Sequence, residues 1–276
     1  MNEFDFLSRI TLGQYFPTDS VIHRRDPRVK IAGFTLMILF ITFSTSKIGL
    51  AIAILTLLAG IMLSKVKVTF ALKGLLPPLP WLVIIAIIQV FFITGPAGTP
   101  ALLTLGKLNI TMVGVWAGIM LLIRFTALIL CISLASFTIS TTEMIQGLSL
   151  LLKPLNKLGL QTSDLVMVVQ VMLRFIPFMA QTAERIAKAQ ASRGGNWSNK
   201  TRNVVTRIKQ VVPLLIPLFV ISLRRAENMA LAMDARAYGF MPQRTSYYEF
   251  RLRWSDVLFF FICATISLAI FTVGDR

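Results

Sequence analysis

Two arginines, Arg193 and Arg236, stand forty-three residues apart, each between two small residues. Ser192 and Gly194 flank the first; Ala235 and Ala237 flank the second. A guanidinium is a planar fork of donors that grips a carboxylate through two parallel hydrogen bonds, and small neighbours leave it room to enter a groove. The stretches leading up to the two arginines run in step. With "AERIAKAQASRG" set over "AENMALAMDARA", the pairs Ala183/Ala226, Glu184/Glu227, Ala187/Ala230, Ala189/Ala232 and Arg193/Arg236 coincide. Taken singly, an arginine just ahead of a glycine is a helix stop, where the dipole favours a cation. A stop needs neither a small residue before the arginine nor the repeated alanine spacing. The repeat therefore points to recognition: two matching cationic tips for two similar grooves, such as a dimer of related partner subunits would present.

Other chemistry is scarce. The chain has no GxxxxGK[ST] loop for ATP, no HExxH and no GxSxG. It also lacks an aspartate-rich pair for a prenyl diphosphate. His23, the only histidine, sits in a polar N-terminal arm with no serine or cysteine nucleophile evidently paired to it. Cys131 and Cys263 lie in apolar runs without metal-ligand spacing and read as small hydrophobes. We expect a chain that is not an enzyme, with no metal site and no cofactor of its own.

The elements carrying these residues belong to a membrane protein. Hydrophobic residues make up 55% of the 276 positions, and the mean hydropathy is +0.74. A net charge of +16 would suggest nucleic acid in a soluble protein; here the excess of basic residues on the cytoplasmic side of a bilayer accounts for it. No cleavable signal peptide is expected, because the first 30 residues are polar and mixed in charge. Apolar runs at 31–45, 48–64, 79–94, 110–137 and 256–273 are the expected spans, the first two joined by "TSK" as a thin hairpin. Pro77, Pro78 and Pro80 mark the start of the third.

Two further apolar stretches, 164–180 and 211–223, compete for the membrane. If both crossed, Arg185, Lys188, Arg193, Lys200, Arg202, Arg207 and Lys209 would lie outside, against the positive-inside bias. If neither crosses, only Lys47, Lys107 and Arg276 of the 28 basic residues do. The expected fold is therefore all-α and polytopic, with five spans. Its parts are a cytosolic arm (1–30), four transmembrane helices (31–138), a cytosolic or interfacial block of long crossed helices (139–253) and a last span (254–276). The N-terminus is placed in the cytoplasm and the C-terminus outside.

Within the block, "STTEMIQGLSLLLKPLNKLG" predicts one helix, with Thr141 or Thr142 placed to cap it and Gly159 to end it. Two long helices follow. One starts with Ser163 as its cap and stops at Gly194–Gly195; the other ends at Gly239. Each is apolar in its first half and alanine-rich and charged in its second. Pro177, Pro213 and Pro217 are expected to bend them, since each removes a backbone donor. Arg124 is the one charge inside an expected span, and we assign it a structural role in anchoring that span to its neighbours. A proton- or sodium-driven carrier is disfavoured, because no acidic residue except Asp256 touches a span.

Several of these stretches together resemble the transmembrane T component of energy-coupling factor (ECF) vitamin transporters. They are "LGQYFPTDSVIHRRDPRVKI", "TISTTEMIQGLSLLLKPLNKLG", "LRFIPFMAQTAERIAKAQASRGG" and "AMDARAYGF". The likeness runs from about residue 12 to the last span. Against the family's Ala-Arg-Gly motifs the first tip departs as Ser-Arg-Gly and the second as Ala-Arg-Ala. The resemblance implies a bacterial membrane scaffold with two related ATPase subunits bound beneath it and a small substrate-capturing membrane subunit beside it. ATP and magnesium would be held by the ATPases. Arg193 would dock one ATPase and Arg236 the other. The arm's similarity favours the group in which one scaffold serves several interchangeable capture subunits. The alternative is the permease of a conventional ATP-driven importer, which lines the substrate path itself.

Overall fold

The computed structural model describes residues 15–93, 101–105, 108–154, 162–194, 204–240 and 252–273. Among these residues the chain is helical apart from one short hairpin, and it is an all-α polytopic membrane protein. It divides into two compact units.

The larger unit holds α1 (Pro27–Phe43), α2 (Lys47–Leu63), α3 (Val68–Lys73), α4 (Leu79–Phe92), α5 (Met112–Thr138), α6 (Thr141–Leu152) and α9 (Trp254–Thr272). Most of these helices start on a local signal. Asp26 caps α1 by accepting from the Arg28 N–H, with Pro27 in the first turn where no donor is needed. Ser46 caps α2 by accepting from the Gly49 N–H, and Thr111 caps α5 by accepting from the Gly114 N–H. The cap of α6 is Ser140, not Thr141 or Thr142. Glu143 stands three residues on and returns its carboxylate to the Ser140 N–H, closing a reciprocal box that neither threonine could close with it. Two elements were not expected from the sequence: the short helix α3, and an antiparallel hairpin of β1 (Ala101–Leu105) and β2 (Leu108–Thr111) leading into α5. Gly159, the expected end of α6, lies outside the described residues.

Packing is built on α1, α5 and α9. α1 lies against α9, α5 and α6; α2 against α5 and α9; α4 against α5. Ile41, Leu50, Leu57, Ile61, Cys131, Phe137 and Ile270 are fully or almost fully buried between them. A Cβ on Gly49 would collide with the backbone carbonyl of Ile270, so α2 and α9 approach to the limit that glycine allows. The opposite faces are apolar and exposed, as with Leu55, Met62, Ile84, Ile88, Phe92, Leu258 and Phe261. A bilayer, not water, solvates such a surface.

By length and composition three helices can cross a membrane: α5, α9 and the segment Asp164–Ser192; Lys47–Leu63 and Leu79–Phe92 are apolar but shorter. Asp164–Ser192 contains the stretch 164–180, which charge placement keeps on the cytoplasmic side in the sequence reading.

One end of the larger unit is tied together by charge. Lys30 is wholly buried, and its Nζ donates to the carbonyls of His23 (3.2 Å) and Thr138 (3.1 Å) and to Glu143 Oε2 (2.9 Å). Asp256 at the start of α9 accepts from the Arg253 N–H and meets Arg25 at 3.7 Å. A Cβ on Gly147 would lie 3.0 Å from the Pro27 Cβ, so α6 rests directly on the first turn of α1. The arm thus joins the ends of α1, α5, α6 and α9. His23 takes part as well. Contrary to the sequence reading a serine is paired with it, Ser20 Oγ at 2.7 Å from Nδ1. Both side chains are buried, and Nε2 is turned onto the Phe137 carbonyl at 3.2 Å, so the imidazole is engaged on both nitrogens.

The smaller unit is described here through α7 (Thr162–Ser192) and α8 (Val204–Asp234). Because α7 already includes Thr162 and Ser163, Ser163 is not its cap and belongs to its first turn; the residues just before Thr162 lie outside the described residues. The helices run through their prolines: Pro177 lies within α7, Pro213 and Pro217 within α8.

Candidate functional site

Both arginine tips close in the same way. In α8 the N–H of Ala237 donates to the Asp234 carbonyl (2.8 Å) and that of Tyr238 to the Met233 carbonyl (3.0 Å). These are the two bonds of a Schellman turn, in which the residue after the last cap position is left-handed. Ala237 holds that position with φ +53°. In α7 the Gly194 N–H donates to the Ala191 carbonyl (3.1 Å), and Gly194 has φ +86°. Arg193 and Arg236 therefore occupy one equivalent place, the residue just ahead of a left-handed turn.

This explains part of the motif. The small residue after each arginine suits the backbone, since a left-handed φ is free for glycine, costs alanine a little, and is disfavoured most for β-branched side chains. It does not explain the arginines. The turns satisfy terminal carbonyls with backbone donors, so the guanidiniums are not needed there as caps. Both side chains are exposed, and among the described residues neither makes a hydrogen bond or ion pair. Ser192 turns its hydroxyl back onto the Ala189 carbonyl at 2.8 Å, and Ala235 donates its N–H to the Leu231 carbonyl at 2.9 Å. Two free cationic forks on rigid helix ends are suited to binding carboxylates on another protein.

The sequence repeat does not extend to the surroundings. Ala187 is fully buried while its counterpart Ala230 is exposed. Glu184 pairs with Lys188 one turn on at 2.6 Å, whereas Glu227 has Leu231 at that offset. The tips match, and the faces behind them differ.

The tertiary arrangement of α7 and α8 sets the tips apart. Tyr238, beside the second tip, places its hydroxyl on the Met167 sulfur near the start of α7. Further along, Arg225 of α8 lies over Phe178 of α7. Both pairings fit one antiparallel register. Arg236 thus lies level with the first turns of α7 and Arg193 at its far end, roughly 40 Å away at 1.5 Å per residue. Between the helices is an apolar cleft of about 400 Å³ lined mainly by Met167, Met172, Phe175, Met229 and Met233. Methionine is unbranched and adapts to whatever shape it meets. Outward-facing apolar residues form stripes at helical spacing, Leu165, Val168, Met172 and Ile176 on α7 and Val212, Leu215, Phe219 and Leu223 on α8.

Pro177 sits one residue before Phe178, at the Arg225 contact; Pro213 and Pro217 lie toward the start of α8. Arg124 belongs to the other unit. Its Nη2 donates to the Ser44 carbonyl at the end of α1 (2.6 Å), while its buried Nε has no acceptor. Sequence reasoning missed the two ion pairs that tie the arm, Lys30–Glu143 and Arg25–Asp256. The usable signal was a lysine at the threshold of an apolar run, three residues after the proline of the Asp26-Pro27 helix start.

Comparison with known proteins gives a consistent result. Residues 18–247 match the CbiQ family, described as a cobalt transport protein. The energy-coupling factor transporter transmembrane protein EcfT of Acidaminococcus fermentans is 35% identical over 267 residues, which cover 97% of this chain and 96% of the relative. The protein of the same name from Listeria innocua is 36% identical over 270 residues, covering 96% of each. That of Thermosediminibacter oceani is 33% identical over 270 residues, covering 98% of this chain and 99% of the relative.

Proposed function

Since this chain belongs to the CbiQ family, as a transmembrane T component of energy-coupling factor transporters, we propose that it is the non-catalytic scaffold of an ATP-driven importer. In this reading two related ATPases dock on Arg193 and Arg236, and ATP and magnesium stay with them. A small membrane subunit captures a vitamin or other micronutrient. The observation that carries the proposal is the pair of free arginines, held in the same turn at opposite ends of one antiparallel helix pair. Two partners of one kind need two equal footholds, separated by about a subunit's width, and this pair supplies them.

The division of labour follows from the rest of the helix pair. The apolar stripes of α7 and α8 and the methionine cleft between them offer an adaptable surface for the capture subunit. Closure of the ATPase pair on ATP moves the docked tips, and the helices carry that motion to the apolar surface. Pro177, Pro213 and Pro217 are the bend points, and Arg124 fastens α5 to the end of α1. The chain crosses the bacterial membrane five times, with its N-terminus in the cytoplasm and its C-terminus outside.

Charge reversal tests the docking. Arg193→Glu and Arg236→Glu are each expected to reduce ATPase co-purification and substrate uptake, and the double variant to abolish both. Normal co-purification with normal uptake in the single variants would end the proposal. Labelling Asn199→Cys from the cytoplasmic side checks the topology; a label that enters only from outside would replace five spans by seven.

A further inference from the structure

The contact between α7 and α8 includes one cation, and its placement is specific. The Arg225 guanidinium carbon lies 3.5 Å from the centroid of the Phe178 ring and 5.7 Å from that of Phe175. The two rings meet edge to face with centroids 6.4 Å apart, so they form one cradle. Pro177 lies beside them inside α7, and a proline there, having no N–H to donate, makes it the point where the helix bends most readily. Among the described residues no carboxylate pairs with Arg225; the aromatic faces are its partner. Phe175, together with Met172, also lines both apolar clefts beside the α7–α8 contact. The cradle stands between the levels of the two tips, ten to fifteen residues from each along α7.

We propose that Arg225, stacked on Phe178 and Phe175 at the Pro177 bend, is a positioning residue that fixes the angle between the two tip-bearing helices. It rests on the reading of Arg193 and Arg236 as docking tips. A bend without a clamp dissipates motion, because α7 would flex at Pro177 when its tip is pulled. A planar cation sliding over two rings holds the helices in contact and still permits rotation. That combination is what a fulcrum requires.

The test uses the complete complex in lipid vesicles: this chain, its two ATPases and a capture subunit. Cys131 and Cys263 are replaced by alanine, and spin labels are attached at Ala189→Cys and Leu231→Cys, both exposed. Pulsed dipolar spectroscopy then reads the separation of the two helices, and uptake per ATP hydrolysed is measured in parallel. Arg225→Gln and Phe178→Leu are expected to broaden the distance distribution and lower uptake per ATP about fivefold, the weight of one cation–π contact. ATPase co-purification should stay unchanged. Arg225→Lys and Phe178→Trp keep a cation over a ring and should restore most of both readouts. A narrow distribution with normal uptake per ATP in Arg225→Gln would overturn the proposal. So would equal losses in Arg225→Gln and Arg225→Lys. If the wild-type distance does not respond to nucleotide, the docking reading fails, and the width of the distribution still decides whether the clamp exists.

Discussion

Replacing Lys30 by methionine should be among the most damaging single changes in the larger unit. Methionine keeps the apolar stem and removes the ammonium. The ammonium is fully buried and serves three acceptors: Glu143 Oε2 at 2.9 Å and the carbonyls of Thr138 and His23 at 3.1 and 3.2 Å. Its loss leaves two carbonyls short of a donor at the junction of α5, α6 and the arm. It also strips Glu143 of its counter-charge. Removing one partner of a buried pair costs about 3–5 kcal/mol. The Glu143 side chain is 28% exposed and keeps the Ser140 N–H, so water offsets part of this and the lower figure, about 3 kcal/mol, applies. At roughly 2–4 °C per kcal/mol for a chain of this size, the melting temperature should fall by about 6–12 °C. The assay is thermal denaturation of the detergent-purified complex, followed by size exclusion. Glu143→Gln leaves the fully buried ammonium with neutral acceptors only and should cost a similar amount, about 3 kcal/mol. The double variant should be less damaged than the sum, because neither charge is then left behind. A shift under 2 °C for Lys30→Met, or strict additivity, would refute this account of the arm.

Further outcomes follow from single contacts. Ala237→Gly should slow amide exchange at residues 233–238 about fivefold, since glycine relieves about 1 kcal/mol of left-handed strain at φ +53°. Gly194→Ala should speed exchange at the other tip by a similar factor through backbone strain alone, because nothing lies within 4 Å of the added Cβ. Gly49→Ala should destabilise the larger unit by about 1–3 kcal/mol, because the methyl meets the Ile270 backbone, which has no rotamer to yield; a thermal melt reads it. The hydrogen bond and charge of Arg24 hold the Asp19 carboxyl below its usual range. Any stability from this is present above the ordinary carboxylate pKa, about 4, and lost as pH falls below it. Both groups are fully exposed, so Asp19→Asn should leave the melting curve unchanged at pH 7.

The helices were legible because their signals are local. The apolar runs act within a few turns of chain, and the helices lie on them; Asp26-Pro27 and the Ser140–Glu143 spacing are just as local but were passed over, so α1 starts four residues before the expected 31 and α6 is capped one residue before Thr141. Each of the five apolar runs lies on a helix, α1, α2, α4, α5 or α9, with ends within a few residues, while length and composition single out α5, α9 and Asp164–Ser192 as able to cross a membrane. The hairpin before α5 was not legible, since strands this short carry little periodicity. The pairing of Ser20 with His23 escaped a search for nucleophiles because three residues of separation become a contact only when the arm turns back on itself.

For the tips, the sequence determined that there are two, that each presents an arginine, and that both belong to long half-apolar helices. Composition and repetition carry that information without reference to any distant residue. The tertiary structure decided the rest. It showed that the residue after each arginine stands in a left-handed turn, where a small side chain fits, and that the guanidiniums are left free by backbone caps. It set Tyr238 on Met167 and Arg225 on Phe178, an antiparallel register that sends the tips to opposite ends of the pair. It also brought Lys30 to Glu143 across 113 positions and Arg25 to Asp256 across more than 200. Contacts at such separations depend on how whole helices pack, and one-dimensional spacing does not encode them.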